Sequence, residues 1–195
     1  MQQLNVVTES LVELVGLSAA DCTPQFVRSF VAGADYSDYP SQLASEWYID
    51  PADRSIVHSP AGTQAASCST VVALAARADE EEDSAAVLCD DTQVFTTGDS
   101  GTTWASPIQV SGAVNIAVTP MGYIVATVGL PDCKGVQLAV LTTEQQSVQQ
   151  TGCLAVDLPT EIMQDNVAIS EAGGTVWVWA GDSVQRSIDW GRTWQ

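Results

Sequence analysis

Three observations predict an all-β fold, organised as a β-propeller of about four blades. A box of residues recurs, a strand–turn–strand unit precedes each copy, and the repeat length is near 45. Thr97-Gly98-Asp99-Ser100-Gly101-Thr102-Thr103-Trp104 and Ser187-Ile188-Asp189-Trp190-Gly191-Arg192-Thr193-Trp194 share the pattern Ser/Thr-x-Asp-x-Gly-x-Thr-Trp. Asp99 and Asp189 are 90 residues apart, and Glu144 stands midway in Thr142-Thr143-Glu144-Gln145-Gln146, which reads as a decayed copy. Ahead of the boxes, Asn115-Ile116-Ala117-Val118-Thr119 runs to Gly122 and then Ile124-Val125-Ala126. In the same way Asn166-Val167-Ala168-Ile169-Ser170 runs to Gly173 and then Val176-Trp177-Val178. Apolar β-formers on both sides of a glycine turn mark paired strands. Short strands at this period mark four-stranded blades.

Residues 22–195 are therefore assigned to a single propeller domain. Its early part is irregular, with strands expected at Trp47-Tyr48-Ile49 and Ser55-Ile56-Val57. Residues 1–21 stand apart as an N-terminal extension. Leu4, Val7, Leu11 and Leu14 follow a spacing of three and four, which predicts a short amphipathic helix packed on the propeller. A fourth strand, residues 105–110, follows Trp104, whereas only Gln195 follows Trp194. Closing the ring would take a borrowed strand from residues 25–31. The alternative is a partial propeller with more blades in a longer parent protein. The acidic run Asp79-Glu80-Glu81-Glu82-Asp83 reads as a solvated loop.

The box has a physical rationale as a turn. Its Asp carboxylate can accept N–H bonds from its own loop, and its Gly supplies the positive φ of the tight point. Its Trp then anchors the loop against hydrophobic neighbours. This residue set resembles the Asp-box, or BNR repeat, of sialidase-like β-propellers, over roughly residues 69–195. The resemblance implies that the box lies between the third and fourth strands of a blade and is structural. It makes Thr97, Asp99, Gly101, Trp104, Ser187, Asp189, Gly191 and Trp194 residues of the fold, not of a reaction. The family holds sialidases and also non-enzymatic members, such as sortilin-type receptor domains and photosystem II assembly factors.

Charge narrows the function classes. The 195 residues carry 24 acidic and 6 basic side chains, a net −18. Six scattered cations cannot neutralise a phosphate backbone or an anionic lipid surface, so neither nucleic acid nor such a membrane is an expected partner. The basic groove implied by the photosystem analogy is unsupported on the same ground. No run of 18 apolar residues is present, so no transmembrane segment is expected. His58 is the only histidine, and the cysteines Cys22, Cys68, Cys89, Cys133 and Cys153 contain no Cys-x-x-Cys. No metal site or cofactor is expected. A hairpin turning near residue 143 would set Cys133 opposite Cys153, the preferred disulfide; Cys22 is left to pair with Cys68 or Cys89. The cysteines fit either buried thiols of a cytosolic protein or disulfides of an exported one, and the acidic, lysine-poor surface favours the second, an extracellular or cell-envelope protein. Its targeting segment, or an N-terminal membrane tether, would lie outside this chain.

No catalytic residue is assigned. Gly98-Asp99-Ser100-Gly101 mimics the nucleophile motif of trypsin-like proteases, but the box recurs without that serine and His58 has no motif around it. The resemblance to sialidases implies three arginines on a sialate carboxylate, a Tyr–Glu nucleophile and a Phe/Tyr-Arg-Ile-Pro motif. Phe26-Val27-Arg28-Ser29 comes nearest and departs from that motif. Trp177 and Trp179 alternate along one strand and share a face. With Tyr123 they form a candidate stacking platform for sugar or peptide, although filling the space between blades is the preferred role. The expected function is a non-catalytic interaction or scaffold domain with a protein or glycan partner. The alternative is a sialidase-like glycoside hydrolase or a degenerate relative.

Overall fold

The computed structural model describes residues 3–77, 83–142 and 147–195. Among these residues eighteen strands form five antiparallel sheets in chain order. Blade 1 contains β1 (Gln3–Val6), β2 (Val12–Leu17), β3 (Pro24–Ser29) and β4 (Ser37–Asp38). Blade 2 has β5 (Tyr48–Ile49), β6 (Ile56–Ser59) and β7 (Gly62–Ala65). Blade 3 has β8 (Val71–Ala76), β9 (Ala85–Cys89), β10 (Gln93–Thr97) and β11 (Ile108–Gln109). Blade 4 has β12 (Ala113–Thr119), β13 (Gly122–Val128), β14 (Gly135–Thr142) and β15 (Ser147–Ala155). Blade 5 has β16 (Val167–Ala172), β17 (Thr175–Ala180) and β18 (Ser183–Ser187). The count is five blades, not four.

Each blade packs its face on the next through a separate apolar cluster. Val15 and Phe26 of blade 1 meet Tyr48 of blade 2, and Ile49 and Val57 of blade 2 meet Val71 and Val87 of blade 3. Leu88 and Val94 of blade 3 meet Tyr123 and Val125 of blade 4. Ile124 and Leu138 of blade 4 meet Val176 and Val178 of blade 5. Covering on both faces explains why β9 reads as an unbroken apolar run and β13 as one interrupted by Thr127 alone, both buried at every position. By contrast β17 alternates buried and exposed residues, because only one of its faces is covered.

The N-terminal helix is not formed. Residues 3–17 make β1 and β2, paired Gln3↔Val15 through Val6↔Val12, and the boundary expected at residues 21/22 falls inside the first sheet. The spacing of Leu4, Val7, Leu11 and Leu14 is also that of a hairpin. Leu4 and Leu14 sit opposite each other, and Val7 and Leu11 close the turn with a 3.0 Å N–H···O bond. The borrowed strand is not formed either. β3 pairs with β2 and β4, while Gln195 itself starts the fourth position of blade 5 through reciprocal bonds with Arg186 of 2.9 and 3.0 Å.

Disulfides join Cys133 to Cys153 and Cys68 to Cys89, with Cα separations of 5.5 and 5.9 Å. Cys22 is free and exposed, so the pairing offered for it does not occur. The decayed box at Glu144 and the acidic run from Asp79 to Glu82 lie outside the described residues. Among the described residues no helix is long and apolar enough to cross a membrane.

Candidate functional site

The two boxes fold into the same turn at the end of the third strand of blades 3 and 5. In blade 3, Thr97 Oγ1 accepts the Gly101 N–H (3.0 Å) and donates to Asp99 Oδ1 (2.8 Å). Asp99 also accepts the Thr103 N–H (2.8 Å) and hydroxyl (2.7 Å). Ser187, Asp189, Gly191 and Thr193 repeat each of these bonds within 0.2 Å. Those donors hold both carboxyls below the ordinary carboxylate range, Asp189 down to about 2, with the Thr193 N–H the largest cause. The loops also clasp the preceding blade. Trp104 Nε1 donates to Ala65 O (3.0 Å) and Ser59 Oγ to Ser100 O (2.7 Å). Trp190 and Trp194 join the cluster between blades 4 and 5. Ser100 is buried with a left-handed backbone (φ 57°), placed to shape a turn.

A third turn of this shape closes blade 1, where no box is visible in the sequence. Ser29 Oγ accepts the N–H groups of Val31 (3.2 Å) and Gly33 (2.8 Å). Ala32 and Gly33 take φ 54° and 84°, matching Ser100 and Gly101 at 57° and 81°. Val31, Asp35 and Tyr36 stand where blade 3 has Asp99, Thr103 and Trp104. The signal that remains is a Ser or Thr followed four residues later by Gly.

The three aromatics of the candidate platform are not brought together. Tyr123 is 1% exposed, on the face of β13 turned toward blade 3. Trp177 and Trp179 are 41% and 57% exposed, on the face of β17 turned away from blade 4. Tyr123 fills space between blades, and the two tryptophans form an open surface with Arg186 over the Trp177 ring at 5.9 Å.

Sequence reading did not find the concave site between blades 1 and 2. A pocket of about 530 Å³ is lined by residues including Gln3, Asn5, Glu13, Arg28, Glu46 and Trp47. β1 to β3 carry the first four of these on one face, because Asn5, Glu13 and Arg28 are register partners. Arg28 Nε donates to Glu13 Oε1 (2.7 Å), and its guanidinium lies over the rings of Phe26 and Tyr39 at 5.1 and 5.6 Å. Glu46, by contrast, forms no ion pair among the described residues. Burial pushes its carboxyl above the usual range, the Glu13 charge adds to this, and Arg28 offsets part of it. The Gln3 Oε1 is buried and lacks a hydrogen-bond partner among the described residues. A second pocket, about 590 Å³, opens between blades 4 and 5 near Trp194.

Two of the arginines, Arg28 and Arg77, line the same pocket, each with partners of its own. Arg54 donates to Val71 O and Val72 O, and Arg77 to Thr119 O and Pro120 O, leaving Arg28 with Glu13. His58 lies on β6, bonded to Asp50 Oδ2 (3.0 Å) and stacked on Tyr48 at 4.3 Å. Among the described residues no group of three or more His, Cys, Asp or Glu is placed to hold a metal ion.

The chain matches no protein-family model and no curated protein. Among solved structures it is similar to one described as YCF48 bound to D1 peptide. The TM-score is 0.52 at 13% identity, over 100% of this chain and 79% of that one. At that identity the likeness concerns the fold alone, and it agrees with the blade geometry: the chain is a β-propeller of five blades.

Proposed function

We propose that this chain is a non-catalytic, exported Asp-box propeller. It serves as an interaction domain that takes a cation-bearing peptide segment in the pocket between blades 1 and 2. The carrying observation is the half-buried Glu46 carboxylate, which lines a pocket and has no ion partner among the described residues. A Lys or Arg side chain entering there would gain a partly desolvated charge pair. Gln3 Oε1 and the Asn5 amide stand ready for the peptide backbone, and Trp47 and Phe26 supply apolar wall. The net −18 attracts such a segment and raises its encounter rate. The fold neighbour was solved with a peptide bound, so a propeller of this shape has a precedent for that ligand class. Two disulfides suit an oxidising compartment. The sialidase alternative loses support because the pocket holds two arginines and not three, Arg28 paired with Glu13 and Arg77 bonded to the Thr119 and Pro120 carbonyls.

Fluorescence-polarisation titration of labelled peptides tests the reading, with Lys or Arg compared against neutral isosteres. Cationic peptides are expected to bind, and Glu46→Gln to weaken them about tenfold or more. Equal binding of the neutral isosteres, or indifference to Glu46→Gln, refutes the cation site. Turnover of a fluorogenic sialoside that is lost in Arg28→Ala refutes the non-catalytic assignment.

A further inference from the structure

We propose that the peptide taken up between blades 1 and 2 binds as an extended strand that completes blade 2 at its inner edge. This rests on the reading of the pocket as a peptide site and adds how the peptide is held.

Three observations number the strands of blade 2. The box turn of blade 5 rests on the third and fourth strands of blade 4, since a Cβ on Gly191 would touch Leu138 of β14 and Thr151 of β15. The box turn of blade 3 meets β6 and β7 in the same way, through Ser59 Oγ to Ser100 O and Trp104 Nε1 to Ala65 O. Third strands also end on a buried hydroxyl that accepts an N–H of its own turn, as Ser29, Thr97 and Ser187 do. Ser59 ends β6, is buried and accepts the Ala61 N–H (3.2 Å). Finally, β5 is buried at both of its positions, like the second strands β9 and β13. The strands β5, β6 and β7 are thus the second, third and fourth of their blade. Among the described residues blade 2 has no counterpart of β1, β8, β12 or β16.

The inner edge of β5 is accordingly open. Asp50 donates its N–H to Ile56 O (3.0 Å), so in the antiparallel alternation Ile49, opposite Val57, turns its N–H and C=O away from β6. Trp47, two residues earlier, is oriented the same way. Both residues are buried, yet the main-chain groups of neither have a hydrogen-bond partner among the described residues, a state that buried backbone seldom tolerates. The pocket reaches this edge at Trp47, and Gln3, Asn5 and Val7 wall it over roughly 13 Å, the reach of four strand residues. A strand laid there would donate and accept at Trp47 and Ile49, the main-chain mode by which sheet edges take peptides. Its side chains would alternate. Those opposite Trp47 and Ile49 turn toward blade 3, where Leu74 and Ala76 pack on the cluster these two belong to. Those opposite Tyr48 and Glu46 turn toward blade 1, where the Glu13 and Glu46 carboxylates favour a cation. The occupant is therefore an extended segment of another polypeptide in which apolar residues alternate with polar ones, one of them a Lys or Arg opposite Glu46.

End-blocked Ser-Val-Thr-Val-Lys-Val-Ser, titrated into the 195-residue chain, tests this. The valine N–H groups point at β5, so N-methylating the valines should weaken binding at least about tenfold. N-methylating the threonine and lysine, whose N–H groups point away, should change it less than about threefold. In amide exchange followed by NMR, saturating peptide should slow Trp47 and Ile49 at least about tenfold. Equal sensitivity to the two methylation patterns, or unchanged exchange at Trp47 and Ile49, overturns strand addition; the Glu46 cation site survives that result if lysine still outbinds norleucine. Lysine that binds no better than norleucine, with the valine pattern kept, sinks the cation reading and leaves the strand in place. Trp47 and Ile49 amides that exchange in the free chain as slowly as those of β9 overturn the proposal, because the edge would already be covered. A peptide that does not bind at all overturns both.

Discussion

Replacing Gly191 with Ala separates backbone strain from blade-to-blade packing. Gly191 has φ +82°, and a Cβ there would lie 2.8 Å from both Leu138 Cδ1 and Thr151 Oγ1 of blade 4. Leu138 is fully buried and cannot swing aside. Gly174, in the β16–β17 turn, has φ +81° but nothing within 4 Å of its Cβ position. Both substitutions force an L residue into the left-handed region, about 1–2 kcal/mol. Each also recovers roughly 0.4–1 kcal/mol through a stiffer unfolded chain. Gly174→Ala should therefore cost about 1 kcal/mol, and Gly191→Ala a further 1–3 kcal/mol for overpacking. Gly101→Ala belongs with Gly174→Ala, because its nearest neighbours, Gln64 and Trp104, stand at an ordinary 3.4 Å. In urea unfolding followed by tryptophan fluorescence, an extra 2 kcal/mol moves the midpoint by roughly 1 M at constant slope. If Gly191→Ala unfolds at the midpoint of Gly174→Ala, the box turn does not brace the preceding blade.

Three other outcomes follow from the same geometry. The Cys133–Cys153 disulfide spans 20 residues, so the double Ser variant should lose about 3 kcal/mol; unfolding curves that coincide with wild type would show that this bond does not form. Val31→Asp with Asp35→Thr rebuilds the Asp and Thr of the box in blade 1, with Tyr36 still at the Trp position, and should raise stability by roughly 1 kcal/mol, read as a higher Tm, whereas Ser29→Ala should lower it by about 1–3 kcal/mol because the Val31 and Gly33 N–H groups lose their acceptor. The third concerns acid. Asp189 has its folded pKa lowered from 3.8 to about 2, so its stabilisation is full well above pH 3.8, declines as pH falls through 3.8 and is lost below 2; Asp189→Asn should flatten that limb, and a carboxyl NMR midpoint near 3.8 would contradict the hydrogen-bonded turn.

Blades 3 and 5 were legible because their turns keep both Asp and Trp, and blade 4 because its strand–turn–strand unit lies between them at the same period. Blade 1 was not. Its third strand carries Arg28 for the pocket, and its turn has Val31 and Tyr36 in place of the diagnostic residues, so the hairpin of β1 and β2 passed for a helix. In blade 2 the strands expected at residues 47–49 and 55–57 fall on β5 and β6, while β7 went unread, since strands of two and four residues are too short to show alternation. Face assignment was the other barrier. Tyr123 and Trp177 both precede an apolar residue on the second strand of a blade. Only the register shows that one points back into blade 3 and the other out to solvent. The pocket depends on this too, since Asn5, Glu13 and Arg28 are distant in sequence and adjacent only by strand pairing.

Conspicuous sequence and available chemistry run in opposite directions in this molecule. Asp99 and Asp189 stand in the most recognisable motif, yet their carboxylates are occupied by the Thr hydroxyls and N–H groups of their own turns. A carboxylate so occupied, and held ionised far below neutrality, is a poor general acid and gains little from a ligand's cation. The turn does not need it: blade 1 reaches the same left-handed pair with Ser29 and Gly33 alone. Asp and Trp thus reinforce a turn that a hydroxyl and a glycine already specify, and counting them undercounts blades. The carboxylate on which the proposed function rests is Glu46, just after a short turn of 3₁₀ helix at Leu43–Ser45, where no repeat draws attention. Burial and the Glu13 charge make its ionised form costly, so a cation that settles beside it gains what the box aspartates have already spent on their own loops.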